Sequence, residues 1–195
     1  MYNPHDHYWC RDDGTIFSSS RNKTVAEKDN ELKEWKRQGG LATMWPRNTE
    51  GHQTDDALQD VLTPQGIFMN SEAGLAAMKT AAKTEIDARA ESERLKYITP
   101  GQGQALTYQR KSDEARRAIK DDDPTSDDYP LLAASIGIDG DTLKAVAETV
   151  IFQDNVWAKA GAAIERIRLV AKREVDAAVD CASVSTIVAN LDWAQ

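Results

Sequence analysis

Cysteine and histidine are scarce in this sequence, which has two cysteines and three histidines among 195 residues. Cys10 and Cys181 lie near opposite ends of the chain, whereas a disulfide framework needs closely placed pairs in an oxidising compartment. We therefore interpret both as unpaired thiols. No serine, cysteine or lysine lies beside a histidine in an arrangement that would activate a nucleophile. These shortages predict a protein that is not an enzyme.

Long apolar runs are also lacking, and no stretch approaches the roughly 20 residues that span a membrane. Acidic residues outnumber basic ones, since 24 Lys and Arg against 32 Asp and Glu give a formal net charge of −8. Binding along a nucleic-acid backbone requires a basic face, so we predict no nucleic-acid partner. The first residues lack the basic and apolar regions of a secretion signal. We therefore expect a soluble protein that is made and folded in a cytoplasm.

Proline is absent from residues 139–180, where Gly161 is the single interior glycine. Apolar residues recur there at steps of three and four, which predicts one long helix with a buried stripe. About forty residues at about 1.5 Å each would make a rod of roughly 60 Å. Such a stripe must be covered by other parts of the chain or by another copy. The stripe contains Leu143, Val146, Val150, Trp157, Ile164, Ile167, Ala171, Val175 and Ala178.

The first seventy residues predict a small α+β module. Aromatic and β-branched residues flank Asp13-Gly14, which is typical of a tight hairpin turn. A short third strand is expected at Thr24-Val25. Helices are predicted over residues 26–38, before Gly39-Gly40, and over residues 54–62.

The remaining chain is rich in alanine and charge and predicts further helices over residues 71–97 and about 100–120. Thr99, Pro100 and Gln102 fit the start of the second of these as a capping box. Short helices are expected at 130–136 and 183–191. The predicted fold is mainly α, an elongated antiparallel helical bundle (71–195) with a small N-terminal α+β module (1–70). In the bundle, we expect Val146, Val150, Trp157 and Ile164 to pack against Tyr108, Ala115 and Ile119.

Three short patterns have both a functional and a structural interpretation. The spacing His5-x-His7-x-x-Cys10 offers metal ligands, but a structural zinc site needs about four of them. Gly101-x-Gly103 lacks the third glycine and the Gly-Lys-Ser/Thr of phosphate-binding loops. The aspartates of residues 121–128 contain a proline and lack the glycine and the glutamate of a calcium loop. We therefore predict no metal and no cofactor.

Aromatic residues are the candidates for contacts with other proteins, because tryptophan is enriched at interfaces. Four of the candidates lie in the N-terminal module and one near the other end of the chain. We predict that they bind a partner. They are Trp9, Phe17, Trp35, Trp45 and Trp193.

Several segments carry a family resemblance. Residues 94–111 read RLKYITPGQGQALTYQRK, and residues 128–137 read DYPLLAASIG. The alanine-rich helix is followed by a terminal Leu191-Asp192-Trp193, and Tyr8-Trp9 precedes Phe17-Ser18-Ser19 in the front module. These segments resemble tail-fibre-associated proteins of tailed bacteriophages, and the resemblance covers most of the chain from Tyr8 onwards.

The resemblance implies a non-enzymatic protein of the virion tail that is made in the host cytoplasm. Its expected partners are other phage tail proteins, of the fibre or the baseplate, and further copies of itself. Two roles stay open: a structural component of the tail, or a tail-fibre assembly chaperone that binds the fibre transiently. An acidic regulatory protein that occupies a basic partner is a third class, compatible with the net charge. However, the acids alternate with Lys and Arg, as on ordinary solvated faces.

Overall fold

The computed structural model describes residues 2–99 and 101–193, apart from the side chain of Gln102. Helices dominate the described chain, and a small four-stranded sheet lies in its first part. The mainly α prediction is therefore confirmed. The strands are β1 (Tyr8–Cys10), β2 (Ile16–Ser18), β3 (Lys23–Val25) and β4 (Thr43–Met44). The helices are α1 (Asn30–Arg37), α2 (Asp55–Leu62), α3 (Glu72–Arg94), α4 (Gln102–Ala118), α5 (Pro130–Ala133), α6 (Leu143–Ala177) and α7 (Cys181–Ala189).

The described chain divides into two compact units. Unit 1 contains residues 2–86 and Ala171–Leu191, and unit 2 contains Asp87–Val170 with residues 192–193. Helices α3 and α6 therefore each contribute residues to both units. This division differs from the predicted boundary at residue 70, because the first part of α3 and the whole of α7 group with the N-terminal module.

The sheet has the strand order β3-β2-β1-β4. Strands β1 and β2 form an antiparallel hairpin in which Trp9 pairs with Phe17, and β3 continues it as a third antiparallel strand. Gly14 closes the hairpin turn at φ +87°, a conformation that glycine adopts without steric cost. The predicted hairpin and third strand are confirmed, whereas β4, parallel to β1, was not predicted.

The two faces of the sheet bury different side chains, because successive residues of a strand point to opposite faces. One face packs with α2 and the segment that follows it, and the other packs with α1. Asp29 caps α1 through the N–H of Leu32 at 3.0 Å, and Thr54 caps α2 through the N–H of Ala57 at 3.2 Å. The α2 side buries Trp9, Phe17, Trp45, Leu58, Leu62, Ile67 and Met69, and the α1 side buries Tyr8, Ile16 and Leu32.

Helix α3 begins where the chain passes close to itself. A Cβ at Gly74 would lie 1.8 Å from the carbonyl oxygen of Met69, so only glycine fits there. Further along unit 1, Lys83 donates to Asp176 of α6 at 2.8 Å. Asp180 caps α7 by accepting the N–H of Ser183 at 2.7 Å.

The core of unit 2 lies at the first turns of α6. The end of α4, helix α5 and the residue before it pack against these turns. Their shared core contains Ala115, Ala118, Tyr129, Leu132, Val146, Ala147 and Val150, with Ile119, Leu143 and Ile151 partly buried against it.

A buried carboxylate joins α4 to α5 in unit 2. Glu114 is buried, and its Oε2 accepts the backbone N–H groups of Leu131 at 2.9 Å and Leu132 at 3.2 Å. These are the free donors of the first turn of α5. Glu114 therefore caps a helix that lies far from it in sequence.

Ion pairs give the relative direction of α3 and α6 within unit 2. Asp87 accepts from Arg168 at 2.7 Å, and Arg94 donates to Glu165 at 2.7 Å. Residue numbers rise along α3 as they fall along α6, so the two segments run in opposite directions there.

Two predicted helix boundaries in the second half of the chain need correction. The long helix runs over Leu143–Ala177 and not over residues 139–180, because Asp180 leaves helical geometry to cap α7. Thr99 was predicted as the N-cap of α4, but Gly101 holds that position at φ +136° with no side-chain cap. Pro100 lies outside the described residues. Within the described chain, no helix has both the length and the apolar composition needed to cross a membrane.

Candidate interaction surfaces

Three of the five predicted partner-binding aromatics are core residues of unit 1. Trp9, Phe17 and Trp45 are buried in the α2 side of the sheet, each less than 5% exposed. The indole N–H of Trp45 donates to the carbonyl of Thr54 at 2.7 Å, and the guanidinium of Arg11 covers its ring at 4.0 Å. The prediction that these three form a partner-binding surface is therefore corrected, because their side chains are already covered by their own unit.

The other two aromatics are half-buried. The ring of Trp35 lies 5.0 Å from that of Tyr8, and a Cβ at Gly40 would meet it at 2.3 Å. The indole nitrogen of Trp193 is buried and has no hydrogen-bond acceptor among the described residues. Partner binding by Trp35 and Trp193 stays a prediction.

The histidine and cysteine cluster near the N-terminus does not converge on one point. His7 is buried, and its Nε2 lies 2.8 Å from the hydroxyl of Thr43. Burial lowers the pKa of His7. His5 is exposed, and Cys10 is half-buried with a pKa raised by burial. Across the described residues, no three His, Cys, Asp or Glu side chains form a group that could hold a metal ion.

The glycine and aspartate patterns have local structural roles. Gly101 precedes α4 as its N-cap. Asp121 accepts the hydroxyl of Tyr129 at 2.9 Å, which raises the pKa of Tyr129, and Asp128 accepts the hydroxyl of Thr125 at 2.6 Å. Within the described chain these groups bond their neighbours in sequence.

The predicted helix-packing residues fall into three environments. Val146 and Val150 pack in the unit 2 core with Ala115, as their spacing indicates. Ile164 is buried further along α6. Trp157 is half-buried, with its ring centre 6.4 Å from that of Tyr97 on the chain after α3.

Tyr108 requires a correction, because it does not pack against α6. Its side chain is exposed, and its hydroxyl lies 3.3 Å from that of Thr99 and 3.2 Å from the amide of Gln104. These hydrogen bonds lower the pKa of Tyr108. The first half of α4 is exposed at every residue from 103 to 110, so only its second half contributes to the core.

Four exposed apolar side chains lie in one segment, two directly after α3 and two in the first half of α4. Leu95, Tyr97, Leu106 and Tyr108 are each between 43% and 49% exposed, and we call these four residues the α3–α4 surface. A second exposed pair, Phe152 and Val156, lies on α6. Sequence reasoning missed this pair, although its positions off the buried stripe were the signal that could have revealed it.

Unit 1 also carries a shallow groove between the end of α6 and α7. Its volume is about 550 Å³, and its lining includes Ala178, Ser183 and Ile187. The groove is lined by carboxylates and apolar side chains and opens widely to solvent, whereas small-molecule sites are mostly enclosed.

Comparisons of the chain with protein-family models, with curated proteins and with solved structures found no match.

Proposed function

We propose that this protein is a structural component of a bacteriophage tail that acts through contacts with fibre or baseplate proteins. The proposal rests on one coincidence. Residues 94–111 carry the resemblance to tail-fibre-associated proteins, and the same residues carry the α3–α4 surface. Exposed apolar side chains that recur along one segment are candidates for a contact with another protein. This surface is therefore the site that would bind a tail partner.

The first half of α4 supports a binding role for this surface. A helix with every side chain exposed gains no stability from tertiary packing, which is the main source of helix stability in proteins. Burying Leu106 and its helical neighbours against a partner would supply that stability. The elongated antiparallel bundle belongs to the same proposal, supported within unit 2 by the opposite directions of α3 and α6.

The distribution of charge argues against the acidic regulatory alternative. Within the two units, Asp87, Asp154, Glu165 and Asp176 each pair with a lysine or arginine of another helix. Acids that are already paired in this way contribute little to binding a basic partner. These four carboxylates are therefore not available to a basic partner.

Mass spectrometry of purified particles tests the proposal, using a phage that encodes this chain. We expect a fixed number of copies per particle relative to the capsid protein. Leu106→Asp should reduce incorporation into particles, whereas Leu41→Asp, at the 84% exposed Leu41 of unit 1, should not. The second variant is matched in residue type and in the charge introduced.

Two outcomes would overturn the structural role. If the chain is absent from particles, and deletion of its gene prevents fibres from attaching, the protein is an assembly chaperone. Particles that lack the chain and carry normal fibres after deletion of its gene would contradict any function in the tail.

A further inference from the structure

The outer face of α6 carries an apolar pair that unit 2 leaves uncovered. Phe152 is 68% exposed and Val156 is 43% exposed. They are four residues apart, so their side chains are neighbours on one face of the helix. That face points away from Val146 and Val150, which lie in the unit 2 core. Exposing this much of a phenylalanine side chain to water costs free energy, and a partner that covers Phe152 would remove that cost.

Two charges of opposite sign flank this pair. Glu148 lies one turn before Phe152, and Lys159 lies three residues after Val156. Both side chains are exposed, and neither forms a salt bridge within the part of the chain that the structure describes. Helical spacing places them on the same flank of the apolar pair, one towards each end.

The order of these four residues is symmetric. Phe152 and Val156 are centred on Asp154, and Glu148 and Lys159 are centred within one residue of it. A second copy of α6, antiparallel and related by a two-fold axis near residue 154, would place its Val156 against Phe152. The same axis would place its Lys159 against Glu148. Because of the two-fold symmetry, the Phe152–Val156 contact and the Glu148–Lys159 contact each occur twice in the dimer.

We propose that two copies of this chain associate through the outer face of α6. The charge order selects a second copy over an unrelated helix, because an acid and a base at matching distances from one centre are complementary to themselves. Thr149 and Ala160 flank the pair on the other side, and their small side chains let the second helix approach closely. The inference depends on the geometry of α6 and holds whether or not the protein belongs to a phage tail.

The expected association is weak. The face covers about four helical turns, and interfaces of this size lie below the standard size of stable complexes. The measurement therefore needs concentrations from about 1 μM to several hundred μM, by sedimentation equilibrium of the full chain.

Charge reversal tests the symmetry directly. Glu148→Lys alone, or Lys159→Glu alone, turns both attractive pairs of the dimer into repulsive ones. We expect each variant to raise the dimer Kd by about tenfold. The matched controls Glu27→Lys and Lys33→Glu change the net charge equally at exposed positions outside α6, and they should leave the Kd unchanged.

The decisive experiment mixes the two variants. When a copy with Glu148→Lys binds a copy with Lys159→Glu, each lysine of one copy faces a glutamate of the other at positions 148 and 159. The mixture should therefore form a heterodimer with a Kd near that of the wild type. The double variant Glu148→Lys/Lys159→Glu should also dimerise like the wild type. A wild-type chain that stays monomeric throughout, or a mixture no tighter than its components, would overturn the proposal. Dimerisation unaffected by Phe152→Asp would place the contact elsewhere and would overturn it as well.

Discussion

Replacing Glu114 by alanine removes the only side-chain cap of α5 among the described residues, and its effect follows from the geometry. The carboxylate accepts two backbone N–H groups, those of Leu131 and Leu132. Leu132 is fully buried, so its N–H cannot bond to water in place of the carboxylate. Leu131 is only half-buried, and water can partly replace the carboxylate at its N–H.

An unsatisfied buried donor costs about 1–3 kcal/mol. With one donor fully buried and one partly solvated, Glu114→Ala should lower the free energy of unfolding by about 2–4 kcal/mol. Glu114→Gln keeps one acceptor oxygen in place and loses the charge that strengthens both bonds. We expect that variant to lose about 1 kcal/mol.

Urea unfolding followed by circular dichroism measures both variants, with the exposed Glu27→Ala as control, which should stay within about 0.5 kcal/mol of the wild type. A Glu114→Ala loss below about 0.5 kcal/mol would show that the cap does not stabilise unit 2. Equal losses for alanine and glutamine would show that the acceptor oxygen is not the cause.

Four further substitutions should have distinct effects on stability. Gly74→Ala should lower the free energy of unfolding by at least about 2 kcal/mol, because its Cβ would meet a backbone carbonyl oxygen. Gly103→Ala has open space around it in α4 and should raise the free energy of unfolding by about 0.5–1 kcal/mol. Thermal melting of the two variants measures both effects. His7 has a pKa lowered by burial, so protonation favours the unfolded chain, and stability should fall as the pH drops below about 6.5. His7→Gln should reduce that dependence in urea titrations at pH 5 to 8. Trp157→Ala should cost about 1–2 kcal/mol by urea unfolding, since its ring is only half-buried; a loss above 3 kcal/mol would mean that it is a core residue.

Local signals in the sequence predicted the elements whose causes are local. The Asp13-Gly14 turn gave the hairpin, and Thr54 gave the start of α2 within one residue. Strand β4 was missed because it has two residues and depends on pairing with β1, which lies more than thirty residues earlier. The cap that Glu114 supplies to α5 is equally non-local.

The buried and exposed sides of the helices were predicted less well, because polar residues can be buried when they satisfy the backbone. In α2 the apolar Val61 is exposed, whereas the polar Gln59 is buried. The amide of Gln59 donates to the carbonyl of Ile67 and accepts the N–H of Met69, both at 2.8 Å. No periodic pattern encodes such bonds.

The candidate sites were predicted least well, since an aromatic side chain suits a core as well as an interface. The small sheet needs large side chains to fill the space beside α2, and Trp9, Phe17 and Trp45 serve that purpose. Only packing distinguishes the two uses. The exposed residues of α4 and α6 became visible in the same way, once the covered faces were known.

The net charge of −8 sets how self-association should depend on salt. Two copies repel each other over the distance at which solution ions screen charge, about 30 Å at 0.01 M and about 8 Å at 0.15 M ionic strength. The Glu148–Lys159 contacts act at short range and lose less to screening than the repulsion between whole chains does. Dimerisation of the wild type should therefore tighten as salt rises from 0.01 to 0.15 M, while the difference between wild type and Lys159→Glu narrows. Sedimentation equilibrium at the two salt concentrations measures both trends. Association that weakens steadily with added salt would mean that long-range attraction between the copies drives it, which the outer face of α6 cannot supply.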